Sequence, residues 1–544
     1  MFKRILLYSF IFFASAVFSQ TVDRPQLVVG IVIDQMRYDY LQRFWDKYSA
    51  TGFKRLVNEG FLCKNANYNY VPTYTAPGHA SIYTGTTPAI NGIIANDWFD
   101  RRAGKNIYCV TDNQVVGVGS NAEEGKRSPE NLLTTTITDE LRLATNKQSK
   151  VISLSLKDRS SVLPGGHMAN ASYWFDGNSG NFISSTYYIN ELPAWVQEFN
   201  AQQLARKYLS EDWKTFLPIG EYTESIKDDY AFEAKFNGEE KPVFPHKLPD
   251  LISKNGGLTL IRSTPFGNKL LKDFAMAAMA KENLGKSGST DFVAISFSST
   301  DYVGHAFGPN SIELEDTYIR LDREISELLD FIDAHVGIKN ALVFLTADHG
   351  AAAIPAYSME LKVPAAYVNA SGITDTLKKY LTATYGSNFI LQYVNQQVYL
   401  DHKAIEAKKL KLEDVQNSAA KFLQTLPDVM ETLTTCELNK TEFTEGTKSL
   451  MQKGFNAKRS GDILVNYLPG HGEYHATGTS HGAPFAYDTH VPLLFCGWSI
   501  PQGSTVSPVI IPDISATLAM LLNIQFPSGC TGKPIEEIFK KENR

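Results

Sequence analysis

Five segments of this chain, residues 27–33, 151–156, 292–297, 341–345 and 491–495, read as apolar runs with β-branched side chains, broken only by small polar residues such as Ser153, Ser155 and Ser296. A strand with one solvated face alternates apolar and polar residues, so runs of this kind belong to strands covered on both faces, as in a parallel sheet between helix layers. The intervening segments supply such helices. Residues 316–336 place Tyr318, Leu321, Ile325, Leu328, Leu329 and Ile332 on one stripe at helical spacing. Residues 512–522 read as an apolar helix capped by Asp513. Strand and helix alternate, and the expected class is α/β with a mostly parallel sheet.

At 544 residues the chain exceeds the roughly 250–300 at which a single core stops growing, so one large core carrying insertions is expected. Two stretches break the alternation. Residues 177–286 are rich in Trp, Tyr, Lys and Glu; residues 358–468 hold a charged helix near 404–426 and a strand-like segment at 389–400. Both read as insertions that form walls or a cap over a site. Gly285-Lys286-Ser287 imitates the end of a phosphate-binding loop, but Ala280 stands where that loop needs glycine, and the match is rejected.

A net charge of −6 argues against nucleic acid as a partner, since that affinity comes from clustered Lys and Arg. At the N-terminus Lys3 and Arg4 precede an apolar stretch, 5–18, followed by Ser19. This layout predicts a signal peptide over residues 1–19, export to the periplasm or beyond, and a mature domain over 20–544. The stretch is shorter than the ~20 residues that span a bilayer, so no stable membrane insertion is expected. The five cysteines are odd in number and form no CxxC spacing; one or two disulfides fit an exported chain, with connectivity open.

In an open parallel sheet, ligands bind beyond the carboxyl ends of the strands. There the sequence repeats itself chemically: 27–33 runs into Asp34, 292–300 into Asp301 with His305 four residues on, and 341–347 into Asp348-His349-Gly350, while His481 lies just upstream of 491–495. Taken singly, an Asp at a strand end reads as a cap or turn former. Three Asp and three His gathered at one sheet edge are oxygen and nitrogen donors of the kind zinc accepts, enough for two ions. Thr75 stands two residues before Pro77, near an expected helix N-terminus, where free N–H groups favour an anion; alone it would be a simple N-cap.

These blocks resemble the alkaline phosphatase superfamily, and most closely the PafA-type bacterial alkaline phosphatases with a threonine nucleophile. The matching motifs are Ile33-Asp34-Gln35-Met36-Arg37, Thr75-Ala76-Pro77-Gly78-His79, Asn96-Asp97, Lys157-Asp158-Arg159, the segment 299–305, Thr346-Ala347-Asp348-His349-Gly350 and Ser480-His481-Gly482. The resemblance implies that Asp301, His305 and His481 hold one Zn²⁺, and that Asp34, Asp348, His349 and the Thr75 oxygen hold the other. It further implies that Asn96, Lys157 and Arg159 contact the phosphoryl oxygens, and that a phospho-threonine forms during hydrolysis of small phosphate monoesters. A monomer is expected, and no residue set stands out for a third metal. Three carboxylates offset by two Zn²⁺, Lys157 and Arg159 leave a positive site suited to a dianionic terminal phosphate. The rival is a two-zinc phosphodiesterase or nucleotide pyrophosphatase. A sulfatase would need Cys or Ser where Thr75 stands, and a non-catalytic binding protein would have no use for an intact ligand set. His79, His167, His471 and His475 are expected to be structural or supporting.

Overall fold

The computed structural model describes residues 23–473 and 477–540; the signal-peptide segment 1–19 and His475 lie outside the described residues. Ten strands form the central sheet: β1 (Leu27–Ile33), β2 (Phe61–Cys63), β3 (Gly117–Val118), β4 (Val151–Ser155), β5 (Ala171–Asp176), β6 (Asn181–Ser185), β7 (Asp291–Phe297), β8 (Ala341–Thr346), β9 (Leu493–Gly497) and β10 (Gly503–Thr505). Their order is β10-β2-β9-β8-β1-β7-β4-β5-β6-β3. The middle five, β8-β1-β7-β4-β5, run parallel, and every residue of β1, β7 and β8 is buried, as their largely apolar sequences require.

Six helices position the core: α1 (Thr75–Thr84), α2 (Asp158–Gly165), α3 (Phe266–Lys281), α4 (Ser299–Phe307), α5 (Ile312–Val336) and α6 (Asp513–Leu522). Neighbouring residues of β5 show which helices cover which face. Tyr173 packs edge-on against Phe274 of α3, ring centroids 5.7 Å apart, while Trp174 clusters with Val162 and Leu163 of α2. Successive strand side chains point to opposite faces, so α2 and α3 cover opposite faces of the sheet. The stripe expected over 316–336 is part of α5, which begins earlier because Ser311 accepts a hydrogen bond from the Leu314 N–H, 3.1 Å, and caps it.

Several expectations need correction. The run at 491–495 is a strand two residues further on, and β9 runs antiparallel to both neighbours; burial on two faces demands an apolar run but says nothing about direction. Asp513 is the first residue of α6 rather than its cap, and accepts from the N–H groups of Ile510 and Lys533 at 3.0 and 2.7 Å. Segment 389–400 is a hairpin, Ile390–Val394 and Gln397–Leu400, turned by Asn395 and Gln396 at φ 52° and 58°, the left-handed pair that suits a two-residue hairpin. The helix near 404–426 is two, His402–Ala407 and Leu412–Leu423. Within 177–286, β6 and α3 belong to the core sheet and its helix layer. The segment 358–468 builds a four-stranded sheet with its own apolar core around Leu377, Val398, Val415 and Ile463. All five cysteines are free thiols.

Candidate active site

The parallel register carries four strand ends to one edge. Asp34 follows β1, and its N–H donates to the Phe297 carbonyl at the end of β7, 2.9 Å away. The chain then turns into α4, whose first and second turns present Asp301 and His305. Asp348 and His349 follow β8, and Lys157 follows β4 as the residue leading into α2, with Arg159 in its first turn. Thr75 is the first residue of α1, a helix buried along its whole length. Gly78 lets that helix approach the Asp348 segment: a Cβ there would lie 2.4 Å from the Asp348 carbonyl oxygen.

The donors converge in two overlapping groups. Asp301, His305 and His481 have ligand atoms within 4.8 Å of one another, as do Asp34, Asp301 and His349. Asp301 is thus common to both. Asp348, expected in the second group, places Oδ2 3.7 Å from His349 Nε2, and its Oδ1 accepts from the Gln35 N–H, 3.1 Å. The Lys157 ammonium explains the shared position of Asp301, for it lies 2.6 Å from Asp34 Oδ2 and 2.6 Å from Asp301 Oδ2 and draws the two carboxylates together. Gln35, at φ 63°, donates from Nε2 to Asp301 Oδ1 at 2.7 Å. The sequence motif contained this glutamine, but only the geometry gives it a task.

Three histidines share one arrangement. The Nδ1 of His305 meets the Thr479 carbonyl at 2.8 Å, that of His481 the Thr73 carbonyl at 2.8 Å, and that of His349 the Gly350 carbonyl at 2.9 Å. A carbonyl can only accept, so each Nδ1 carries a proton and each Nε2 faces the cluster, as a lone pair in His349 and His481 and 3.0 Å from the Asp301 carboxylate in His305. Burial lowers His349 to about 3 and pushes His481 well down, which keeps both rings neutral. His305 is raised because the Asp301 carboxylate overcomes the effect of burial. Burial, with Asp301 nearby, lifts Asp34 to about 6, and burial with Asp34 lifts Asp348 further. Asp301 is held low: against its burial stand His305 and Lys157. The buried oxygens Asp34 Oδ1 and Asp348 Oδ2 have no hydrogen-bond partner. Orphaned carboxylate oxygens, crowded acids and inward lone pairs together fit divalent cations.

The remaining candidates surround this cluster. Thr75 Oγ1 is 3.4 Å from His349 Nε2. Asn96 Oδ1 accepts from the Ala76 N–H, 2.9 Å, which fixes the amide so that Nδ2 is free to donate elsewhere. Arg159 Nη1 donates to the Tyr108 hydroxyl at 3.1 Å, and its Nε is buried without a partner. Lys157 is 3% exposed, so it is no solvated surface cation. His79 is engaged at both nitrogens, by the Thr75 carbonyl and Ser296 Oγ, as a structural histidine is. Tyr108 and Arg127 carry no spacing signal in the sequence, while Asp158 and Tyr302, which lie inside the matching motifs, gain a task only from the geometry.

Comparison with known proteins places this geometry in context. The family model for type I phosphodiesterase / nucleotide pyrophosphatase matches residues 28–490. Alkaline phosphatase PhoV of Synechococcus elongatus is 46% identical, over 96% of this chain and 95% of the relative. A Myroides odoratus protein bearing the name calcium-transporting ATPase is 44% identical, over 97% of this chain and 98% of its own. The crystal structure of wild-type alkaline phosphatase PafA superposes with a TM-score of 0.92 at 44% identity, covering 95% of this chain and 100% of that one.

Proposed function

This chain belongs to the type I phosphodiesterase / nucleotide pyrophosphatase family and, within the alkaline phosphatase superfamily, is PafA-like; from that premise we propose that it is a metal-dependent alkaline phosphatase that cleaves phosphate monoesters through Thr75. The observation that carries the reading is the convergence of three imidazole Nε2 atoms and two orphaned carboxylate oxygens beside the Thr75 hydroxyl. Asp301, His305 and His481 are assigned to one Zn²⁺, and Asp34, Asp348, His349 and Thr75 to a second. When bound, the two ions supply Lewis-acid stabilisation of the attacking and departing oxygens.

The chain's own residues account for the rest. Thr75 sits where the α1 N-terminus favours negative charge, and its Oγ1 attacks phosphorus as the ester oxygen departs with the alcohol. Water then cleaves the phospho-threonine, releasing inorganic phosphate and restoring Thr75. Asn96 Nδ2 and the Arg159 guanidinium would donate to the phosphoryl oxygens, which need positioning and charge neutralisation more than covalent help. Lys157 and Arg159 favour a dianionic monoester over a diester, which has one charge fewer and a further substituent to house. The diesterase reading draws its support from the family description, and the ratio of the two rates separates them.

Export is proposed from the basic and apolar N-terminal sequence. Among the described residues no helix is long and apolar enough to cross a membrane. The nucleophile is tested by acid quench during turnover of a ³²P-labelled monoester, followed by peptide mapping. Label on the Thr75 peptide is expected, and Thr75→Ala should lower kcat by several orders of magnitude. Near-normal turnover by Thr75→Ala would eliminate this nucleophile.

A further inference from the structure

Beside the cluster lies a cavity of about 230 Å³, lined by Tyr108, Arg127, Lys157, Arg159, Arg262 and Tyr302 among others. Its cations differ in one respect. Lys157 is paired with Asp34 and Asp301, and Arg127 with Asp158. Among the described residues Arg262, like Arg159, has no acidic partner within salt-bridge distance. Its Nη2 donates to the Phe175 carbonyl at 2.7 Å, its guanidinium lies 5.6 Å from the Phe175 ring centroid, and its Nε is buried without a partner. An unneutralised, partly buried guanidinium with an unused N–H is costly unless an anion completes it. The phosphoryl group already has Arg159, Lys157 and Asn96 assigned to it, so Arg262 is left over at the same cavity.

We propose that Arg262 is the anion-recognising residue of a leaving-group subsite, which selects phosphate monoesters whose alcohol carries a second anionic group, a carboxylate or another phosphate. The chain builds this feature deliberately. Arg262 comes from the 3₁₀ segment Gly257–Ser263, which leads directly into α3, and its side chain is anchored to β5 through Phe175. The fork is therefore held in one orientation before substrate arrives, which lowers the ordering cost of binding. Tyr302, whose ring lies 5.0 Å from Lys157 Nζ, and Trp174 give the same cavity apolar walls for the carbon skeleton between the two anions. The inference rests on the monoesterase reading above and adds the class of ester.

The test compares kcat/KM for 2-phosphoglycolate with ethyl phosphate and for 3-phosphoglycerate with glycerol 3-phosphate, each as a charged-to-neutral ratio. Arg262→Gln keeps a donor for the Phe175 carbonyl and loses the charge; Arg262→Lys keeps the charge. In Arg262→Gln at least one ratio should fall roughly tenfold, the worth of a charge-assisted contact, and Arg262→Lys should recover part of it. Ratios unchanged within twofold in Arg262→Gln, including an equal loss on charged and neutral esters, would overturn the subsite. Failure of the wild-type protein to hydrolyse any of the four esters would instead count against the monoesterase reading.

Discussion

Gly78→Ala tests whether the contact between α1 and the Asp348-His349 segment sets the geometry of the nucleophile. The added Cβ would meet the Asp348 carbonyl oxygen at 2.4 Å and Asp348 Cβ at 2.8 Å, where ordinary contact begins at 3.4 Å. Neither neighbour is the flexible end of a side chain, so helix and segment must part by about 1 Å. A displacement of that size at reacting groups costs on the order of 100-fold in rate. The same overpacking costs about 1–3 kcal/mol of stability, which leaves the protein folded. Steady-state hydrolysis of p-nitrophenyl phosphate, beside a denaturant titration of the same preparation, reads both effects. A folded variant with kcat/KM within threefold of wild type would refute the argument that this close approach positions Thr75.

Two further outcomes follow from the electrostatics. Arg159→Ala should lower kcat/KM for a monoester by at least tenfold more than for its methyl diester, because the lost fork serves the extra phosphoryl charge; equal losses would favour the diesterase reading. His246 is buried between Glu239 Oε1 at 2.8 Å and Glu313 Oε1 at 3.4 Å, and against its burial these carboxylates raise it from 6.5 to about 9. The folded state thus holds the proton more tightly, so this contribution to stability is complete below about pH 6.5 and is lost as pH rises through about 9. His246→Gln should flatten that decline in a pH series of denaturant midpoints, and an unchanged slope would show that the pair is not coupled to folding.

How much of this was legible in the sequence depends on what each residue's position determines. In a parallel sheet, the end of an apolar run is also a place at the ligand-binding edge, so Asp34, Asp301, Asp348 and His349 could be located from one-dimensional spacing. His481, placed in the sequence only as lying just upstream of the run at 491–495, reaches the same cluster from a loop. Direction and pairing were less accessible: β9 has the same apolar character as β1 yet runs antiparallel to β8, since burial does not encode polarity. The hairpin at 395–396 was hidden because Asn395-Gln396 lacks the glycine that usually marks such a turn. The shared role of Asp301 arises from a lysine on a different strand end, a contact between residues 144 positions apart, and no local pattern reports that. Arg262 sits within the turn-rich stretch read as insertion, and its meaning depends on a missing carboxylate, which sequence cannot show.

Zinc titration of chelator-stripped protein, with bound metal and monoester turnover read together, decides whether these donors hold a pair of divalent cations beside Thr75. Negligible activity without metal, two Zn²⁺ bound per chain at saturation, and full turnover only as the second equivalent is taken up are the expected results. Full-rate hydrolysis by metal-free protein, or saturation of activity with no metal retained by the chain, would contradict that reading.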